Sequence, residues 1–476
     1  MVRLFHWSGT SLGITLVKLR NRRHPLSMEL VITNGTIVNA SETFRCDVGV
    51  QDGRIVALGT DLSGDENLDA TGKYLFPGLI DAQTFLEQPT FGTRTADNFF
   101  SGTRAAACGG VTTVIDVAVQ GEGGSLLEAI NARRLLAGPQ AVVDYALHAR
   151  VTRFVPETFA ELPELFNEGA VSLRIDLAHM ATHDADDGAL LALLEAAGRE
   201  GIMVVARAEN GAISGRLQAR ALADGRVSPE HFPGAHPAFA EVEAIQRLLL
   251  LAEAAGVAVY FSALSTSGAL TAINEARANG QAVYAEVTPA HLLLDASLYG
   301  SLDGQHYIME PPLRGEADRA ALWRALTMGG VHVVASHHRP FTTAQKALGD
   351  SFATTPPGIA GTETLLSLLY THGVKGGKLS INQLVGAVAT NPAELFGLHN
   401  KGAIAIGKDA DLVIFNPNDK RILTASALHS EGGHTVFDGW ELHGYPETTI
   451  SRGRIVYEQG RFTGEKGMGR FVGRTA

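Results

Sequence analysis

The stretch FPGLIDAQTFLEQP, Phe76 to Pro89, decides how this chain is read. An apolar start turns at Pro77-Gly78, returns to Leu79-Ile80 and reaches an acid at Asp81. That is the outline of a metal-binding strand end. The alternate positions that follow, where a metal enzyme would carry two histidines, hold Gln83 and Phe85. The frame of a metal site is present, and two of its donors are not.

The surrounding chain has 476 residues, enough for a large barrel and a smaller domain. Hydrophobic residues make up 45% and charged residues 19%, so a sizeable core can be buried and disorder is not indicated. The net charge of −11 makes nucleic acid a poor partner, because phosphate contacts need clustered Lys and Arg. The two cysteines, Cys46 and Cys108, fit a reducing compartment, and a cytoplasmic location is expected. No apolar run approaches the roughly 18 residues of a membrane span. Residues 1–27 carry five Lys/Arg and no acid, the composition of a transit or basic interaction segment. The favoured alternative is an upstream start codon, with the folded protein beginning at Met28, because MELVITNGTIVN already opens a strand.

From Leu30 to Leu62 apolar and polar residues alternate, with turn signals at Asn34-Gly35 and Asp52-Gly53 that read as hairpins. DGRIVALG at 52–59 resembles RGRIVYEQG at 452–460, so both chain ends are expected to build one small β domain, 28–75 plus 396–476. Between them, over 76–395, strand and helix patterns alternate. Apolar strands are read at 75–85, 111–118, 141–150, 170–178, 201–210, 256–265, 281–289 and 331–340. Eight such strands, each followed by a helical run, predict an α/β fold, a (β/α)8 TIM-type barrel with a small β-sandwich-like domain. Chemistry in such a barrel sits at the C-terminal strand ends.

Several segments in order carry a resemblance: NGTIVNA, FPGLIDAQTF, SGTRAAACGGVTTVID, AEVTPAHLLLD, EPPLRGEADRAALWRAL, GIAGTETLLSLLYTHGV and ATNPAELFGLHNKGAIAIGKDADLVIFNP. Over about 30–465 the chain resembles the cyclic-amide amidohydrolases, namely dihydroorotase, allantoinase and dihydropyrimidinase/hydantoinase. EVTP, PPLR and LLYTHGV lean towards dihydroorotase. The resemblance implies a barrel with two divalent metals, usually zinc, held by a histidine pair, a bridging lysine, two further histidines and an aspartate. The matching positions here are Gln83, Phe85, Arg174, Arg207, Ala263 and His337, so all six differ from the family pattern. The family's substrate-binding arginine and asparagine match Glu87 and Glu310, which argues against an anionic dihydroorotate.

A bound divalent metal lowers the pKa of water from 15.7 to about 7. Losing that leaves about 12 kcal/mol uncovered, more than the 3–5 pKa units that nearby charges supply. Arginine stays protonated and coordinates nothing. Arg174 and Arg207 are therefore expected to stand in the cationic space of the metals, pair with Asp81, Glu87 or Glu310, and tolerate no alanine. A relocated zinc on His337, His179 and Asp176 is the alternative metal arrangement. His338, adjacent to His337, should point to the opposite face. On this reading no catalytic residue and no cofactor are expected. The chain is then a non-catalytic scaffold, partner or regulatory subunit in pyrimidine or cyclic-ureide metabolism. It would be a homodimer or homotetramer, with aspartate carbamoyltransferase as a protein partner by analogy and a small-molecule ligand as an option. The competing reading is a hydrolase of cyclic-amide C–N bonds with altered, metal-free or relocated-metal chemistry.

Overall fold

The computed structural model describes residues 28–183 and 185–474; the basic segment 1–27 lies outside the described residues. Eight parallel strands form the central sheet: β1 (Leu79–Asp81), β2 (Val111–Val119), β3 (Asp144–Arg150), β4 (Ser172–Asp176), β5 (Val204–Arg207), β6 (Val259–Phe261), β7 (Val283–Val287) and β8 (Val333–Val334). Each pairs with its sequence neighbour, in order from β1 to β8. The ring is drawn shut beyond the strand ends, where Phe85 N–H donates to the His338 carbonyl at 2.9 Å and His338 N–H to the Gln83 carbonyl at 3.1 Å. Asp81 assists the closure by accepting the Ser336 N–H at 2.9 Å, and it is fully buried.

Alternation within the strands sorts two cores. Ile80, Ile115, Ala146, Val205, Tyr260 and Val333 fill the barrel interior with Phe396. Val114, Val204, Val259 and Phe261 point outward under the helices. The helix after β1, α1 (Phe99–Cys108), is started by an Asn98/Ser101 capping box, and that after β2, α2 (Leu126–Ala137), by Ser125/Glu128. These caps turn the chain back along the outside of the barrel.

The strand-rich terminal domain has a four-stranded sheet from residues 28–69 and a seven-stranded sheet from both chain ends. The stretch FPGLID spans the junction: Tyr74–Pro77 pairs with Leu412–Phe415 in the seven-stranded sheet, and β1 begins two residues later. Gly78 sits at the crossing because a Cβ there would collide with Thr112. Asp52-Gly53 forms the expected hairpin turn, with both residues at positive φ. Asn34-Gly35 does not. It carries the chain from Met28–Thr33 in one sheet to Thr36–Val38 in the other, since the partner of Met28–Thr33 is Asp47–Gln51.

Candidate functional site

A cavity of about 540 Å³ opens at the C-terminal end of the barrel, the size of a small-molecule pocket. Its floor is charged. Arg150 ends β3, Asp176 ends β4, Arg207 ends β5, and Arg339 lies just beyond β8. Phe85, on the connection after β1, lies beside two guanidinium groups, with Arg174 5.4 Å and Arg339 5.6 Å from its ring centre. Such contacts favour a cation over an aromatic face. A short hairpin, Pro89–Thr90 with Thr93–Arg94, brings Phe91 over the opening.

Arg207 is the hub. Its Nε and Nη2 donate to the two Asp176 oxygens at 3.0 and 2.9 Å, and Nη1 reaches Glu209 at 3.2 Å and Glu310 at 3.8 Å. Burial opposes ionisation of Asp176, but Arg207, His179 and Arg150 override it and hold its carboxyl well below the usual range. Glu209 is likewise held at about 2: burial works against it, and the 2.6 Å contact with His236 and the Arg207 charge prevail. Arg174 is placed differently. It is 2% exposed, its Nη1 donates to Gln83 Oε1 at 2.6 Å, and among the described residues no carboxylate lies within 4.0 Å of it. Burial lowers its pKa to about 10, so it stays protonated at neutral pH.

His337 faces the cavity with its ring edge-on to Phe85 at 5.0 Å. Its φ of 54° is in the left-handed region, and that turn separates it from His338. Burial first, then the Arg174 and Arg339 charges, push its pKa well below the ordinary histidine value. Among the described residues its buried Nδ1 has no hydrogen-bond partner. His338 runs the other way, 2.9 Å from Asp97 through Nε2.

The structure thus brings Phe85, Glu87, Arg174, Asp176, His179, Arg207, Glu310 and His337 to one cavity, and leaves Asp81, Ala263 and His338 outside its lining. Gln83 touches the site through Arg174. The expected pairings are corrected in part: Asp81 is engaged by Ser336 and Glu87 by Arg94 at 3.1 Å, so neither reaches the two arginines. Arg150 and Arg339 escaped the sequence reading, although each sits where a barrel strand ends.

The profile of the Amidohydrolase family matches residues 74–456, and that of the Urease alpha-subunit, N-terminal domain, matches residues 10–71. A D-hydantoinase of Geobacillus stearothermophilus is 38% identical over 455 residues, covering 94% of this chain and 97% of its own. A D-hydantoinase of Ralstonia pickettii is 34% identical, covering 94% and 99%. The crystal structure of dihydropyrimidinase from Brevibacillus agri superposes with a TM-score of 0.92 at 38% identity, covering 94% and 99%.

Three expectations fall here. The lean towards dihydroorotase is corrected, because these whole-chain relatives are D-hydantoinases and a dihydropyrimidinase. The non-catalytic scaffold or partner subunit is overturned, because the relatives are enzymes matched across 94% of the chain. Phe85 and the arginines line an open cavity rather than filling it. The absence of a cofactor is overturned too. The family resemblance is to metal enzymes, and ligand-type atoms converge within 4.8 Å in two groups, Asp144/Asp409/Asp411 and Cys108/Glu363/His429.

The residues at the barrel mouth nevertheless do not fit the family's pair of divalent ions. Two buried guanidiniums, Arg174 and Arg207, stand there and would repel cations. Among the described residues His337, His179 and Asp176 do not come together as a ligand trio, although His179 Nδ1 lies 3.2 Å from Asp176. In the Asp144 group the Lys401 ammonium already lies 2.8, 3.3 and 2.5 Å from Asp144, Asp409 and Asp411.

Proposed function

The chain belongs to the amidohydrolase family, and from that membership we propose that it is a hydantoinase-type hydrolase of cyclic-amide C–N bonds whose barrel-mouth chemistry departs from the family's. In this reading the six positions Gln83, Phe85, Arg174, Arg207, Ala263 and His337 replace the metal ligands. The supporting observation is the pairing of a neutral, unpartnered His337 with protonated guanidiniums around one cavity. Amide hydrolysis needs a proton acceptor for water and a donor to the carbonyl oxygen as it gains charge. His337 Nδ1 is free to accept that proton. Arg174 and Arg339 line the cavity and in this reading donate to the oxyanion, since arginine holds such donors in a fixed fork. Asp176, Glu209 and Glu310 hold Arg207 in place. No step is routed through a metal. We extend the reading to a homo-oligomer, as the family resemblance implies, and light scattering that returns a monomer mass removes that part.

The test is ring opening of 5-substituted hydantoins, dihydrouracil and allantoin, followed by appearance of the ureido acid and run with and without added zinc or manganese. Turnover of a member of the panel is expected, with a loss of about 10²-fold in kcat for His337→Asn. No turnover on any of them, in either condition, overturns the reading.

A further inference from the structure

The cavity's charges do not balance, and the imbalance is located at one residue. Arg150, Arg174, Arg207 and Arg339 face it. The acids set against them are Asp176, Glu209 and Glu310, and all three are engaged by Arg207, with Arg150 3.6 Å from Asp176 and Arg339 3.8 Å from Glu310. The other cavity arginines are already matched: Arg94 with Glu87 at 3.1 Å and Arg133 with Asp116 at 2.5 Å. Arg174 is left over, 2% exposed, with a neutral amide as its hydrogen-bond acceptor. Asp176 and Glu286 act on it only from beyond ion-pair distance, so much of its desolvation cost is left for an incoming anion to offset.

Other unpartnered groups surround the same spot. Among the described residues, buried Gln83 Nε2, Arg339 Nε and His337 Nδ1 have no hydrogen-bond partner. Around this polar floor the wall is apolar, and two of its members are unusually exposed for large hydrophobic residues, Phe91 at 45% and Val119 at 37%. A ligand suited to this shape has one planar anionic end and one apolar end.

We propose that the cavity binds a small monocarboxylate with an apolar substituent, its carboxylate set on Arg174 and Arg339 and its apolar body against Phe91 and Val119. This rests on the cyclic-amide reading and names the side of that reaction the pocket favours. Water opens a hydantoin by breaking the amide C–N bond, placing its oxygen on the carbonyl carbon and a proton on the nitrogen. The resulting acid releases a proton at neutral pH, so the open form is an anion while the ring is neutral. Where the metal enzymes hold cations, this chain holds a fixed guanidinium that prefers the open, charged form.

Calorimetric titration with N-carbamoylphenylalanine and 5-benzylhydantoin compares an anion and a neutral ring with the same apolar body. The open acid is expected to bind at least about tenfold more tightly, and its affinity to fall as salt rises from about 50 to about 500 mM. Arg174→Gln, with Arg339→Gln as a second variant should the first misfold, is expected to abolish the preference. Equal affinity for the two probes, or binding of neither, overturns the proposal. Hydantoin turnover without anion preference removes this inference and leaves the hydrolase reading standing. Anion preference without turnover on the hydrolase panel does the reverse.

Discussion

Arg174 and Arg207 look interchangeable in the sequence, each an arginine at a strand end that the family resemblance matches to a metal-ligand position. Their surroundings separate them. Arg207→Ala strands Asp176, Glu209 and Glu310 around a void, and loss of one partner of a buried network costs about 3–5 kcal/mol. Denaturant unfolding should show that loss, and a midpoint equal to the parent's would remove the hub role. Arg174→Met exchanges an unmatched charge for an apolar chain beside Phe85, so little loss, or a gain, is expected in the same experiment. Intolerance of alanine was expected at both arginines; we now predict it at Arg207, and a milder effect at Arg174. His337 provides a second test. Its folded pKa lies well below 6.5, so in the folded protein it stays unprotonated as pH falls past the usual histidine midpoint. The catalytic profile should stay level through pH 6.5 and drop only at lower pH. The unfolded chain takes up that proton first, so stability declines as pH falls below 6.5. An activity loss centred at pH 6.5 would show that His337 is not the base.

At the scale of strands the barrel was legible because each strand is a short β-branched run bounded by turns, as in VTTVIDVA. Ends were overextended: 331–340 holds only the two ladder residues of β8, and the chain beyond them turns through His337 to finish the mouth. Asn34-Gly35 was misread because a positive φ suits a hairpin and a sheet-to-sheet crossing equally. What β7 adds was not visible. Glu286 projects into the barrel, accepts the Tyr260 hydroxyl from β6 at 2.7 Å and the Ala263 N–H at 3.1 Å, and is pushed to about 8 by burial. Its folded value exceeds the unfolded one, so its contribution is complete below about pH 4.3 and lost as pH rises through about 8. Glu286→Gln should keep both contacts and flatten that decline, raising the melting temperature at pH 8 relative to the parent while changing little at pH 5. An equal shift at both values would argue against a protonated carboxyl.

Across the whole molecule one ammonium ties the two parts together. Lys401 is buried and bonded to Asp144, the first residue of β3, and to Asp411 next to the long strand of the terminal domain. Burial opposes its charge, but Asp411, Asp144 and Asp409 outweigh that and raise its pKa. Lys401→Met leaves three carboxylates facing one another, and a loss of about 3–5 kcal/mol is expected in denaturant unfolding. Partial recovery with Asp144→Asn in the same chain would identify the charge, and no recovery would identify packing. The run of strands that makes the barrel and the strand-rich domain from both ends were legible in local pattern. Hydrophobic period and turn chemistry act over a few residues and survive in a linear string. Whether the mouth was plugged or open was decided only in three dimensions. Phe85 could have filled the space, yet Arg174 and Arg339 stack on it and a cavity remains. Charge pairing is equally non-local: Arg207 meets Glu310 across 103 residues, and Arg174 feels Asp176 and Glu286 only from beyond ion-pair distance. The sequence marked the residues at the strand ends, and the packing of eight strand ends around one space decided which of them meet.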